Sequence, residues 1–421
     1  MSSTPAFAPI LSVPEIVFPQ TEIDHKAAVE QVAKLYEPLC AQRRDDPEYQ
    51  REFVSEVALG LRMAANLDID AHPVHLRMDQ MARPRGLRAR NGEAQDAFNT
   101  YVPVAAERAL ATSGTKPADI DAVLVSTSTV IAMPVLAYDV VDMVGLRPSV
   151  EVIPINYMGC NGGAHAVLRA YDYLLAHPDH TVLIIAADYA SPHFHLEPEL
   201  RGIDLRGSVV SSTLFSDGTA AAVMSARDDA VGFKIMGTAS HRLPGSRGAL
   251  SWEVADDGLH FRLADGATKL VPQVLPILPA LLDQQGWRPE DLAVCSFHTG
   301  GNRIIDDVRD GLGLTDDHVS PTRQALRRGN TMSVAIFDTL RIIASDSQYR
   351  PLDTARGLGA GFGPGFSCSA FTWQFQDLAE SRQREESDSG SINLGDGWRT
   401  RANPAATVAD PTATVGAVPV P

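Results

Sequence analysis

A cysteine set among glycines, with a strand before it and a helix after it, constrains this chain more than any other stretch. Val150-Glu151-Val152-Ile153-Pro154 reads as a short buried strand, while Ala164, Val167, Leu168, Tyr171, Leu174 and Leu175 recur at helical spacing. Between them runs Gly159-Cys160-Asn161-Gly162-Gly163. Cys160 therefore falls in a tight strand-to-helix turn, where glycine lets backbone crowd the sulfur and free helix N–H groups face it. The positive end of a helix favours the thiolate, the nucleophilic form of cysteine. A small hydrophobic core cysteine is the alternative reading, and only partner residues separate the two.

Around this turn, strands and helices alternate. Strands are predicted at 122–126, 181–187 and 220–225, with helices from about 134 to 144 and directly after Cys160, an α/β pattern with a largely parallel sheet. Upstream, residues 10–18 predict a lead-in strand that Pro14 confines to a sheet edge. Val29, Val32, Ala33 and Tyr36 form a helical stripe broken near Pro38, with Cys40 packing at its end. Phe98, Val102, Ala105, Ala106, Ala109 and Leu110 build an apolar helix face closed by Gly114.

The second half echoes the first. Pro117-Ala118-Asp119 leads into the strand Ala122-Val123-Leu124-Val125-Ser126, and Pro289-Glu290-Asp291 leads into Leu292-Ala293-Val294-Cys295-Ser296. This faint duplication implies two similarly folded halves, 1–228 and 229–378. Cys295 and Cys368 then sit inside apolar strands as core cysteines. From 379 to 421 apolar periodicity is lost in favour of an acidic, serine-rich stretch and an Ala/Thr/Val/Pro tail, which predicts disorder.

Composition narrows the partners. A formal charge of −16 argues against nucleic acid or an anionic membrane surface. Four scattered cysteines, in no zinc spacing, suit reduced thiols, and no apolar run is long enough to span a bilayer. A cytoplasmic location is expected. One local exception is the arginine cluster Arg77, Arg83, Arg85, Arg88 and Arg90, which reads either as a phosphate contact or as a solvated loop.

Two further stretches suit chemistry. Phe297-His298-Thr299-Gly300-Gly301 places a histidine at a strand end, heading the helix of Ile304, Ile305 and Val308. Arg328-Gly329-Asn330-Thr331 opens another helix, where Asn330 either caps it or donates a hydrogen bond into a cavity.

Taken with Leu214-Phe215-Ser216-Asp217-Gly218 and Gly361-Phe362-Gly363-Pro364-Gly365, these motifs resemble, in order and spacing, the chalcone synthase-like family. These are the type III polyketide synthases, of the thiolase fold, and the likeness over about residues 8–376 is nearest in style to bacterial members such as tetrahydroxynaphthalene and phloroglucinol synthases. The resemblance implies a thiolase-like α/β fold of two duplicated halves in αβαβα layers. It further implies Cys160 as the acyl-carrying nucleophile, with His298 and Asn330 completing a triad. Phe215 and Phe261 match gatekeeper phenylalanines. Gly300 and Gly301 match backbone that admits the pantetheine arm. Met133 matches the methionine that reaches into a partner subunit, which implies a homodimer. Acyl-CoA and malonyl-CoA would be the substrates, with no metal or redox cofactor. The chain departs from the pattern at Thr299, Asn161, Ala190 and His193, which bears on product identity and leaves the triad intact.

The expected activity is iterative decarboxylative condensation of malonyl-CoA onto an acyl-CoA or malonyl-CoA starter held on Cys160, followed by cyclisation to an aromatic or pyrone product. The alternative is a non-extending acyltransferase that passes the acyl group to an alcohol or amine. A silent binding dimer fits the intact triad poorly, and a degradative thiolase is disfavoured because the sequence has no second cysteine in a comparable glycine-rich site.

Overall fold

The computed structural model describes residues 7–42, 47–227, 230–264 and 266–377, and the disorder expected over 379–421 falls outside them. The apolar stripe upstream of Gly114 is a 27-residue helix, Leu87–Ser113, that buries Ala94, Ala97, Phe98, Val102, Ala105 and Ala109. Gly114 closes it with φ at 64°, and the Thr115 N–H donates back to the Leu110 carbonyl. With Leu136–Val144 it covers one face of strands Ala122–Thr127, Thr181–Asp188 and Gly218–Ser225.

Helices Ile277–Gln284, Asn302–Leu312 and Asp316–Leu326 cover strands Leu292–Phe297, Arg356–Gly363 and Ser367–Gln376 in the same way. Between these two assemblies lie helices Gly162–Ala176 and Ala335–Ser345, which share one core with strands from both. A helix that is apolar on nearly all sides must be buried this way. The stacking is α-β-α-β-α. Leu175, read as part of the first stripe, is instead half exposed.

The turns that suggested duplication are alike in detail. Asp119 accepts the Lys116 N–H, and Asp291 accepts the Arg288 N–H, in two short turns that each begin with proline and feed a buried strand. Cys295 and Cys368 are fully buried in one core, and Cys40 is partly buried in another.

The sheet itself corrects one expectation. Among the described strands of this sheet, three pairings are parallel: Ala122–Thr127 with Glu151–Asn156, Ala122–Thr127 with Thr181–Asp188, and Leu292–Phe297 with Arg356–Gly363. The other pairings of this sheet are antiparallel. Parallel neighbours need a long crossover, whereas Arg356–Gly363 turns straight into Ser367–Gln376. Apolar runs report burial and not strand direction.

Two prolines act differently from expectation. Pro14 divides the lead-in strand into Ile10–Ser12 and Glu15–Val17, and the first piece is central, paired on both sides. The missing N–H falls in the gap, so no ladder bond is lost. Helix His25–Gln42 continues through Pro38, whose ring lies on the solvent face, where water can satisfy the carbonyl it leaves unpaired.

Nor is the arginine cluster a basic patch. Arg90 is buried and donates to the carbonyls of Pro192 and Phe194, and Arg85 pairs with Glu93. Arg77 and Arg83 pair with Asp79. Among the described residues, no helix is long and apolar enough to cross a membrane.

Candidate active site

Glycine lets the two central helices meet. A Cβ on Gly163 would stand 2.0 Å from the Ser333 carbonyl oxygen, so only glycine allows the Cys160 turn to touch the segment that follows Asn330. Cys160 occupies the short turn Gly159–Asn161, and the Gly159 N–H donates to Ser128 Oγ at 2.7 Å.

Asn330 is held by its backbone and its side chain. Its N–H donates to the Leu214 carbonyl (2.9 Å), and its own carbonyl accepts from the Ser216 N–H (3.0 Å), which sets it beside Phe215. Its Oδ1 accepts the Met332 N–H at 2.9 Å, while Nδ2 lies 3.7 Å from the Cys160 sulfur. Oδ1 is itself 3.8 Å from that sulfur, so the whole amide lies against Cys160 while its oxygen also holds the turn that leads into the next helix.

His298 follows strand Leu292–Phe297 and is anchored by its N–H, which donates to the Ala360 carbonyl at 3.0 Å. Its ring is buried, and among the described residues Nδ1 has no hydrogen-bond partner. A Cβ on Gly300 would come within 3.0 Å of that ring, so glycine keeps the seat open.

Cys160, His298, Asn330, Gly300, Phe215 and Phe261 all line one cavity of about 350 Å³. Gly301 instead heads helix Asn302–Leu312, with φ at 123°. Met133 is away from the cavity on the surface, 98% exposed. Phe215 and Phe261 meet edge to face, with centroids 5.1 Å apart. Trp252, which the motif reading missed, stands 5.6 Å from each. It sits opposite Phe261 across the hairpin of Leu250–Ala255 and Gly258–Leu263. Its signal was the turn at 255–258, which pairs those two positions.

Asp188 was also missed. Buried at the end of its strand, it accepts the Ser128 N–H (2.7 Å) and the Ser333 hydroxyl, tying the loops on both sides of the sulfur together. Of the departing residues, Ala190 packs with Cys160, and Asn161 Nδ2 donates to Ser367 Oγ at 3.1 Å. His193 is buried, and its Nε2 donates to the Thr129 carbonyl at 2.7 Å. Three further side chains, His195, Glu197 and His260, bring donor atoms within 4.8 Å of one another, a spacing that suits a metal ion. Arg262 also donates to Glu197, so protons and the guanidinium complete this set.

The electrostatics correct the expected thiolate. Burial pushes the Cys160 thiol up to about 12, opposed by the Asn330 hydrogen bond and reinforced by the Asp188 charge. Burial pushes His298 down to about 4. The sulfur packs among Ala190, Met332, Phe215 and Trp252, the apolar surroundings that raise it. Burial thus favours the neutral thiol and the neutral imidazole at these two positions. The rate of Cys160 alkylation by iodoacetamide should therefore climb with pH, by roughly tenfold per unit between 7 and 9. A profile already flat below pH 7 would contradict the neutral pair.

Comparisons with known proteins agree on one family. Residues 77–234 match the model described as "FAE1/Type III polyketide synthase-like protein", and residues 234–374 match "Chalcone and stilbene synthases, C-terminal domain". A 1,3,6,8-tetrahydroxynaphthalene synthase of Streptomyces griseus is 31% identical over 310 residues, 73% of this chain and 81% of that one. A phloroglucinol synthase of Pseudomonas fluorescens is 30% identical over 361 residues, 85% of this chain and 96% of that one. The crystal structure of 1,3,6,8-tetrahydroxynaphthalene synthase from Streptomyces coelicolor superimposes with a TM-score of 0.78 at 26% identity, covering 87% of this chain and 99% of that one.

Proposed function

This chain belongs to the type III polyketide synthases, and from that premise we propose that Cys160, His298 and Asn330 carry its chemistry in the cavity they share. The activity is iterative decarboxylative Claisen condensation of malonyl-CoA, an acyl transfer leading to an aromatic product. The observation that supports the residue assignment is the Asn330 amide 3.7 Å from the Cys160 sulfur, on a wall shared with His298.

Loading begins with a starter thioester in the cavity. His298 takes the Sγ proton as the sulfur attacks the carbonyl, then returns it to the departing CoA sulfur. Malonyl-CoA then places its thioester oxygen against the Asn330 amide and the His298 ring. As carbon dioxide leaves, these donors stabilise the enolate oxygen, an effect worth roughly 3–4 kcal/mol per donor. The enolate carbon attacks the acyl-Cys160 carbonyl and expels the thiolate. The lengthened chain is then a CoA thioester, and its transfer back to the Cys160 sulfur breaks that bond, so each full extension cycle consumes one proton and releases one carbon dioxide and one CoA thiol. Phe215, Phe261 and Trp252 supply an apolar wall that disfavours the malonyl carboxylate and so favours its loss as a neutral gas.

The cavity wall also carries Arg206, Lys269 and Arg303. Lys269 and the 65%-exposed Arg303 side chain suit the phosphates of CoA, in place of the arginines at 83–90. Met133, almost fully exposed, suits insertion into a second copy of the chain, so a homodimer is part of this reading. The relatives do not favour the non-extending acyltransferase.

Incubating the full chain with ¹⁴C-malonyl-CoA, alone and with a panel of acyl-CoAs, tests the reading. Labelled carbon dioxide and products heavier by successive two-carbon units are expected. Acyl transfer without carbon dioxide release would overturn it.

A further inference from the structure

We propose that Glu197 is a positioning residue for the aromatic wall and, through Phe261, sets how far the enzyme extends its acyl chains. The inference rests on the reading of Phe215 and Phe261 as the wall of the acyl cavity. Alternation along strand Gly258–Leu263 puts His260 and Arg262 on the face opposite Phe261. Both of these neighbours clasp Glu197. His260 Nδ1 donates to Oε1 at 2.5 Å, and Arg262 Nη1 donates to the same oxygen. Ser208, on helix Gly202–Ser211, donates to Oε2 at 2.8 Å.

The rest of the cluster fixes the direction of these bonds. His195 Nδ1 donates to the His193 carbonyl at 2.6 Å, so its Nε2 is an acceptor, 2.8 Å from His260 Nδ1. His260 Nε2 donates to Asp257 at the hairpin turn, at 2.7 Å. Arg262 also reaches Glu253 on the neighbouring strand. The Glu197 side chain is only 4% exposed. Burial would push its carboxyl up, but the bonds from His260, Ser208 and Arg262 hold it down to about 2, so it is charged whenever the enzyme works.

One buried carboxylate thus grips the residues on both sides of Phe261. A slip of one residue would turn that ring out of the cavity, and the grip forbids the slip. Behind the wall lies a second cavity of only about 50 Å³, lined by Glu197, Ala190, Ser191 and His193. Phe261 lines this cavity as well as the larger one, so the ring stands between the two and the hold on its strand sets how it divides them.

The experiment compares Glu197→Gln, Arg262→Gln and Phe261→Leu in the full-length enzyme, with labelled malonyl-CoA and starters of increasing length. In Glu197→Gln, malonyl decarboxylation should fall roughly tenfold in kcat, as a small misplacement allows, and the product lengths should shift. The rate of acyl loading on Cys160 and the KM for acyl-CoA should stay close to wild type. Arg262→Gln, which removes one clasp at a partly exposed side chain, should shift product lengths in the same direction and decides the matter if Glu197→Gln does not fold. On the Phe261→Leu background, Glu197→Gln should add nothing further. Unchanged product lengths in both single variants, or additive effects on that background, would overturn the proposal. A wild-type enzyme that releases no carbon dioxide would instead overturn the proposed function.

Discussion

Replacing Cys160 with alanine removes acyl loading entirely and leaves the protein folded. After incubation with acyl-CoA, intact-protein mass spectrometry should find one acyl adduct on the native enzyme and none on Cys160→Ala. The other described cysteines cannot substitute. Cys295 and Cys368 are fully buried in the outer core of the second half, and burial pushes both thiols up to about 12. Cys40 lies in a different core, beside Tyr36 and Phe53. Loss of one sulfur at the cavity wall leaves a small void costing on the order of 1 kcal/mol, too little to unfold the chain. Condensation should drop by at least about 10⁴-fold, the scale on which removing a covalent nucleophile acts. Malonyl-CoA decarboxylation should persist at a lower rate, because Asn330 and His298 remain. A stoichiometric adduct on the variant would end the assignment of Cys160 as the nucleophile.

The features legible in the sequence were the local ones. A strand, a glycine-flanked cysteine and an apolar helix occupy one continuous stretch, and their spacing alone places Cys160 at a turn. The meeting of Cys160 with Asn330 is not local, since 170 residues separate them. Only the resemblance pointed to it, and the physical cause lies in Gly163 and Ser333, whose contact no periodicity reveals. Strand direction escaped for the same reason, because a run of buried residues looks alike in either sense. Glu197 carries no local signal at all: its neighbours Leu196 and Pro198 suggest a loop, and its partners come from the hairpin and from Ser208. The burial that raises the Cys160 thiol was not legible either, because it depends on packing from Met332 and Trp252.

Asn330→Ala should separate the two half-reactions. The enolate needs a donor that is already in place when charge appears on the thioester oxygen, and the Nδ2 group is held for that task. Its partner atom Oδ1 is fixed by the Met332 N–H, so the amide cannot rotate without leaving a buried donor unpaired. Removal of one such donor costs roughly 10²–10³-fold in rate. Malonyl-CoA decarboxylation, measured as labelled carbon dioxide, should fall by that amount. Acyl loading, in which charge develops at the attacked carbonyl and His298 moves the proton, should fall by less than about tenfold. The alanine variant also strips the Met332 N–H of its acceptor, at roughly 1–3 kcal/mol of stability. Asn330→Asp controls for this: its carboxylate still accepts that N–H but offers no donor to an enolate. Both variants should therefore lose decarboxylation, with the aspartate variant unfolding at the higher temperature. Equal loss in loading and decarboxylation would mean that Asn330 merely supports the cavity wall, and the oxyanion role would have to pass to His298 alone.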